Sequence, residues 1–173
     1  MKELVVVAIG GNSIIKDNAS QSIAHQEQAV QEVAAHISDM VAEGYNIVLT
    51  HGNGPQVGLD LRRAEVAHVQ EGLPLTPLAN CVADTQGGIG YLIQQALTNK
   101  LRVQHNKQAI TLITQVEVDK NDPNFVSPTK PIGAFFSEQE MVQLKQENPQ
   151  WHFVEDSGRG YRRVVASPIP QHV

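Results

Sequence analysis

The chain has 173 residues, a formal net charge of -5 and a single cysteine, Cys81. With 41% hydrophobic and 18% charged residues, its composition is that of an ordinary globular protein large enough for one sizeable core. Lys and Arg are not clustered in the sequence, which argues against nucleic-acid binding. A single cysteine cannot form an internal disulfide. Since no apolar run approaches the ~20 residues of a membrane helix, we expect a cytoplasmic protein without membrane contact.

The first 60 residues predict an alternation of strands, glycine loops and a helix. Residues 4–9 form a β-branched apolar run that suits a parallel strand buried on both faces. Apolar residues recur at helical spacing over 20–43, and Gly44 stands where a helix C-cap glycine belongs. Residues 46–50 predict a second buried strand. A helical crossover makes the two strands parallel, so both following glycine loops should lie at one edge of the sheet, where open α/β sheets bind ligands.

The middle of the chain predicts two further helices and a third core strand. Residues 55–69 suit a helix that is broken by the prolines of 73–77, and 78–100 suit the next helix. Glycines 87, 88 and 90 within it indicate a kink or close packing. Residues 109–118 are apolar enough for a third core strand.

From residue 122 the chain is rich in turns and predicts an excursion from the main sheet, either a hairpin or a lid. Ser137 and Glu140 fit a capping box that opens a short helix. Residues 151–154 and 161–166 suit further strands.

The two glycine loops are the candidate anion site. Gly10 and Gly11 lack side chains that would keep phosphate oxygens from backbone N–H groups, and Asn12 adds an uncharged amide donor. The motif HGNGPQVG at 51–58 repeats this arrangement after the second strand, with Gly52, Asn53 and Gly54 as a second set of donors. The alternative for the first loop is a tight turn after a strand. The alternative for the second is a hairpin-type turn, although a helical pattern follows it and not a strand.

Two cationic residues are candidates for holding charge on a phosphoryl group. Lys130 lies between prolines in PTKPIG at 128–133, which stiffens its presentation; a solvated surface lysine is the alternative. Arg159 lies between two glycines and could hold a phosphate or carboxylate with its bidentate guanidinium; an ion pair with Glu155 or Asp156 is the alternative. The sequence contains no His- or Cys-based metal motif, and we predict no metal-ligating residue.

Taken together, five motifs resemble those of carbamate kinases, members of the amino-acid kinase superfamily. In chain order they are AIGGN at 8–12, HGNGPQVG, TQVEVD at 114–119, PTKPIG, and GRGYRRVVASP at 158–168. The resemblance runs over essentially the whole chain. Ser13 is a departure, since the family commonly has alanine there.

The resemblance implies an α/β fold: a three-layer α/β/α sandwich with a mainly parallel central sheet and a small, lid-like protruding subdomain at about 120–160. Residues 1–173 would be the amino-terminal, carbamoyl-phosphate-binding part of the kinase domain, truncated before the nucleotide-binding half. The loops at 10–12 and 52–54 would bind the anion, with Asn12 and Lys130 catalytic and Arg159 binding substrate.

The resemblance also implies a reaction, a cofactor and partners. The reaction is phosphoryl transfer between carbamoyl phosphate and ADP with Mg²⁺, usually within arginine catabolism and by a homodimer. The nucleotide pocket is expected to be missing from this chain, so activity would need a complementing half. The alternative is a non-catalytic remnant that binds a small anion or dimerises. A relative that phosphorylates a carboxylate or UMP is disfavoured, because PTKPIG and GRGYRR do not belong to such enzymes.

Overall fold

A computed structural model describes residues 3–15 and 18–173 in two compact units. The first unit takes Met1–Asp60 and Thr76–Ile113, and the second takes Leu61–Leu75 and Thr114–Val173. None of the helices in the described residues has the length and apolar character that crossing a membrane requires.

The first unit is built on two parallel strands, as the sequence predicts. Strand β1 (Leu4–Ile9) pairs with β2 (Asn46–His51) in parallel register, from Leu4 opposite Asn46 to Ile9 opposite His51. The crossover consists of the short helix α1 (Gly11–Ile14), a 3₁₀ turn at Asn18–Ser20 and the long helix α2 (Ile23–Ala42). The carboxyl ends of both strands therefore meet at one edge, which confirms the predicted strand order and orientation.

Helix α2 ends before the predicted glycine and begins at a serine cap that the sequence did not predict. The Ser22 side chain caps it by accepting a hydrogen bond from the His25 N–H. Gly44 follows it with φ of +94°, a conformation that costs glycine little because it has no Cβ. The chain can then turn directly into β2.

Two further helices complete the first unit and begin the second. Helix α3 (Gly54–Glu71) contributes residues to both units, and after a break at 72–77 helix α4 (Leu78–His105) returns to the first. Asn106 ends α4 in the left-handed conformation, with φ of +51°. At Gly90 a Cβ would come within 2.3 Å of Thr111 Cγ2, so this glycine permits the close packing that was one of its predicted roles.

The core of the first unit lies between one face of the β1–β2 sheet and helices α2 and α4. It is formed by Ile9, Ile14, Val30, Ala34, Ile37, Val41, Ile89, Leu92, Ile93, Ala96, Leu97 and Leu101. Val7, Ile47 and Leu49 pack against this cluster from the sheet.

The predicted burial of both sheet faces is wrong. Leu4 is 63%, Val6 64% and Val48 45% exposed. Successive side chains of a strand point to opposite faces, so α2 and α4 cover only the face that carries Val7 and Leu49.

The predicted third core strand at 109–118 is also wrong. Only Glu117–Val118 form a strand, β3, while Ile110 and Leu112 are 77% and 75% exposed. Thr111 is instead fixed to α4, where its N–H donates to Gln94 Oε1 and its hydroxyl to the Gly90 carbonyl. An apolar sequence becomes a strand only where a neighbouring strand accepts its backbone hydrogen bonds.

The second unit contains two small antiparallel sheets. Strand β4 (Lys130–Phe136) and strand β5 (His152–Glu155) flank strand β6 (Tyr161–Val165), and β3 pairs with strand β7 (Pro170–His172). A 3₁₀ turn lies at Pro123–Phe125. Helix α5 (Glu138–Glu147) connects β4 and β5 and begins with the predicted capping box of Ser137 and Glu140.

These elements confirm the α/β class and the parallel pairing. The predicted strands near 151–154 and 161–166 correspond to β5 and β6. The boundaries proposed for a protruding subdomain, about 120–160, stay a prediction.

Candidate functional site

The two glycine loops come into direct contact at the carboxyl edge of the β1–β2 sheet. The Gly52 N–H donates to the Ile9 carbonyl at 2.8 Å, which continues the pairing of β1 and β2 into the loops. A Cβ on Gly52 would lie 2.9 Å from the Gly11 nitrogen. A Cβ on Gly11 would lie 3.1 Å from Pro55 Cδ and 3.2 Å from the Gly52 carbonyl carbon. The absence of side chains at both positions therefore allows the backbones to touch.

The loop after β2 leads straight into a helix, and this places helix N–H groups at the same edge. Helix α3 begins at Gly54, and its first intrahelical bond runs from the Val57 N–H to the Asn53 carbonyl at 3.0 Å. The N–H groups of the first turn are those of Gly54 and Gln56, since Pro55 has none, and they have no acceptor within the helix. The helix dipole gives this end a partial positive charge. Gly10, Asn12, Gly52 and Gly54 are all exposed there. The arrangement suits a small anion.

Asn53 is oriented by a residue that sequence reasoning missed. Its Nδ2 donates to Thr85 Oγ1 at 2.9 Å, and the Thr85 hydroxyl donates to the Val82 carbonyl at 2.9 Å. Because that hydroxyl has only one proton, it can only accept from Asn53, which fixes the orientation of the amide. Thr85 is 4% exposed on α4, and its side chain gives no local signal of this role.

Gln56, also within HGNGPQVG, ties the start of α3 to α2. Its Nε2 lies 3.5 Å from Gln26 Oε1, and Gln26 Nε2 donates to the Gln21 carbonyl at 3.1 Å. Both glutamines are buried. Among the described residues, Gln56 Oε1 has no hydrogen-bond partner. This buried contact joins α2 to the start of α3, the helix that follows the loop, but within the described part of the chain it leaves one Gln56 acceptor unpaired.

Lys130 belongs to the second unit, whereas both glycine loops belong to the first. It opens β4 opposite Val165 of β6, and it is exposed. Its predicted catalytic role stays a prediction.

Arg159 makes the ion pair that the sequence offered as the alternative to substrate binding. Its Nη2 lies 2.9 Å from Asp156 Oδ1, and its guanidinium lies 4.8 Å from the centre of the Phe135 ring. The hydrogen bond from Arg159 lowers the pKa of Asp156. The Arg159 side chain remains 62% exposed. Its role in substrate binding is untested and stays a prediction.

Arg163 is held by a different set of contacts, which the sequence did not predict. Its guanidinium lies 3.8 Å from the centre of the Trp151 ring. Burial lowers the pKa of Arg163, and the charge of Glu65 opposes that shift. Burial also raises the pKa of Glu65, against the charges of Arg62 and Arg163. Arg163 is thus a packed residue of the second unit.

Cys81 is buried, and burial is the main cause of its raised thiol pKa. Within 3–15 and 18–173, no group of three or more His, Cys, Asp or Glu side chains could hold a metal ion. We assign no magnesium ligand among these residues.

The sequence of the chain matches a known family over most of its length. The Amino acid kinase family matches residues 3–141. The chain belongs to this family. The resemblance to carbamate kinases drawn from its motifs is confirmed by relatives that cover it end to end.

Two of these relatives show how far the similarity extends. The carbamate kinase-like protein YahI of Escherichia coli is 73% identical over 173 residues, which are 100% of this chain and 55% of that protein. The carbamate kinase of Lentilactobacillus hilgardii is 47% identical over 98% of this chain and 53% of its own length. The chain therefore spans about half the length of these relatives.

Solved structures agree with the sequence relatives. A carbamate kinase from Giardia lamblia, thiocarbamoylated by disulfiram, superposes with a TM-score of 0.86 at 38% identity, over 99% of this chain and 55% of that one. The same enzyme bound to AMP-PNP gives a TM-score of 0.83 at 40% identity, over 99% of this chain and 54% of that one. The described fold is thus the fold that this part of a carbamate kinase adopts.

Proposed function

We propose that this chain is the carbamoyl-phosphate-binding part of a carbamate kinase. The reaction moves a phosphoryl group from carbamoyl phosphate to ADP and gives ATP and carbamate. In this proposal residues 1–173 form the amino-terminal part of the kinase domain, and about 120–160 form its protruding subdomain.

The observation that carries the proposal is the contact between the two glycine loops beside the start of α3. Gly11 and Gly52 bring two stretches of backbone together, and Asn12 and Asn53 flank them. Backbone N–H groups and amides are suitable donors for phosphate and carboxylate oxygens, and they bring no opposing charge.

The chemistry of phosphoryl transfer fits such donors. The bond between phosphorus and the carbamate oxygen breaks while a new bond forms to a terminal phosphate oxygen of ADP. Catalysis relies on positioning and on neutralising charge, and the carbamate oxygen needs no general base in the reverse reaction because it is already anionic. In our proposal the loops at 10–12 and 52–54 hold the carbamoyl phosphate, Asn12 and Lys130 stabilise the transferring group, and Arg159 contributes to binding.

The nucleotide and its Mg²⁺ would be held by other residues. A Giardia lamblia relative has been solved with AMP-PNP, and this chain covers 54% of that one. We propose that the nucleotide pocket belongs to the part of the fold that the relatives have beyond the matched segment. Mg²⁺, when bound with the nucleotide, would neutralise phosphate charge.

The test is ATP formation from ADP, Mg²⁺ and carbamoyl phosphate, with this chain alone and after co-expression with the unmatched part of the Escherichia coli relative. We expect ATP only in the complemented sample. Lys130→Ala should lower the rate about 100-fold or more, as the loss of one transition-state donor does. Lys120→Ala, another exposed lysine of the second unit, is the matched control and should leave the rate unchanged. Equal rates for the two variants would refute the role of Lys130.

A second candidate function is a non-catalytic remnant that binds a small anion or dimerises. It is favoured by the contact of the two exposed glycine loops, whose backbone could bind a small anion without a nucleotide. Titration of the chain with carbamoyl phosphate and with inorganic phosphate separates the two functions. Binding without ATP formation in any complemented sample would support the remnant.

We also propose a homodimer that works in the cytoplasm in arginine catabolism, as the family resemblance implies. Exposed apolar residues beside a cleft of about 470 Å³ on α4 support self-association, among them Tyr91 and Ile113. Sedimentation velocity of the purified chain tests the dimer.

A further inference from the structure

The β1–β2 sheet has one face that nothing covers among the described residues. We name it the open face, and it carries Leu4, Val6, Ala8, Asn46, Val48 and Thr50, all of them exposed. Val6 and Val48 are register partners, so their side chains are neighbours. No residue of the open face is ionisable.

An open apolar face is unusual for a parallel sheet. Parallel strands are normally covered on both faces, and the near-continuous apolar run of β1 is the composition of a strand built for that environment. Here α2 and α4 cover only one face. Because the open face carries no charge, it suits an apolar protein surface and not an anionic or nucleic-acid ligand.

The relatives indicate what the missing cover is. Nearly all of this chain superposes on a carbamate kinase with a TM-score of 0.86, yet it accounts for only 55% of that chain. The same fold therefore exists beside a large further stretch of polypeptide. YahI, at 73% identity, likewise has a substantial part outside the match.

We propose that the open face is the docking surface for the part of the carbamate kinase fold that lies outside the matched segment. The inference rests on the proposed function, since it takes the identity of the partner from the carbamate kinase family. It goes beyond that function in naming the surface at which the two parts join and the residues, Val6 and Val48, at its centre.

The experiment is co-expression of this chain, carrying an affinity tag, with the part of YahI outside the match, followed by size-exclusion chromatography. We expect a one-to-one complex with the wild-type chain. Val6→Lys should weaken it about tenfold or more, because the ammonium would be taken out of water without a partner. Val103→Lys is the matched control, since Val103 is 85% exposed at the end of α4.

A labelling measurement identifies the surface without relying on a disruptive charge. Cys81 is buried, so Val48→Cys introduces a thiol with distinct reactivity. We expect that thiol to react in the free chain and to be protected in the complex, whereas Val103→Cys should react equally in both.

Three outcomes would overturn the inference. They are the absence of a complex with the wild-type chain, equal weakening by Val6→Lys and Val103→Lys, and an unprotected thiol at position 48 in the complex. A complex that shows the expected losses but forms no ATP leaves the docking surface standing and refutes only the proposed activity.

Discussion

At the scale of single residues, the approach of the two loops is controlled by Gly11 and Gly52. A Cβ at Gly52 would come closer to a backbone nitrogen than real Cβ atoms do, and that backbone belongs to the first turn after β1. Asn53 is constrained instead by its hydrogen bond to the hydroxyl of Thr85, which lies 32 residues further along the chain. Sterics and one hydrogen bond thus shape the candidate anion site.

Gly52→Ala should destabilise the chain. The added methyl group must displace the Gly11 backbone, and overpacking of this kind costs about 1–3 kcal/mol. Urea denaturation measures the change in the free energy of unfolding. Gly58→Ala is the control, because nothing lies within 4 Å of its Cβ position and alanine favours the helix by about 1 kcal/mol. If the two variants lost the same stability, the loop contact would not be the cause.

The site residues differ in how far their sequence context could predict their surroundings. Gly10, Gly11, Gly52 and Gly54 follow strands, so strand direction alone predicts that they gather at one edge. Arg159 pairs with Asp156, three residues away, and its role in substrate binding stays a prediction. Sequence context could not predict the pair, because the same flexible guanidinium can serve either role.

At the scale of secondary-structure elements, local sequence signals predict a contact correctly when the interacting residues are close in sequence. The capping box of α5 joins Ser137 and Glu140, and the Gly44 turn follows α2 directly, so both could be predicted. Residues 109–116 have an equally apolar sequence but pair with no strand among the described residues. Sheet formation needs a partner that the segment itself cannot supply.

The β3–β7 sheet should depend on the ionisation of Asp122. Its carboxylate accepts hydrogen bonds from the Asn124 N–H and side chain and from the Ile169 N–H, and these bonds lower the pKa of Asp122. A carboxyl group whose pKa is lowered by folding stabilises the folded state at pH values above its ordinary pKa, which is 3.8 for Asp. That stabilisation is lost as the pH falls through the folded-state pKa.

Asp122→Asn should therefore lower the melting temperature near neutral pH, and its difference from wild type should shrink as the pH is lowered. Thermal melts at a series of pH values check this. Asp119→Asn, an exposed residue of the same turn, is the control. A difference between Asp122→Asn and wild type that is constant with pH would contradict the assignment.

At the scale of the whole molecule, the chain divides into two compact units and spans about half of its relatives. The open face of the β1–β2 sheet is the structural feature for which the additional length of these relatives matters most. A protein with a net charge of -5 resists association through general repulsion, but exposed neighbouring Leu and Val side chains favour it locally.

Without a partner, the chain should form concentration-dependent species larger than a dimer through the open face. Val6→Lys should reduce them without lowering the melting temperature, because Val6 is already 64% exposed. Sedimentation velocity over a range of concentrations measures the effect, with Val103→Lys as the control. Unchanged association in Val6→Lys would place the contact elsewhere.

Sequence patterns alone predict β1, α2, β2, α3 and α4 in their order, the glycine loops at one sheet edge, the Gly44 turn, the capping box of α5 and the family. These follow from periodicity, glycine and motifs that act within a few residues. The three-dimensional fold is needed to know which sheet face stays exposed, and that 109–116 pairs with no strand of the described residues. It is also needed to know that Thr85 bonds to Asn53 and that Ile169 bonds to Asp122. Such contacts join segments dozens of residues apart, and no local pattern in the sequence encodes which segments meet.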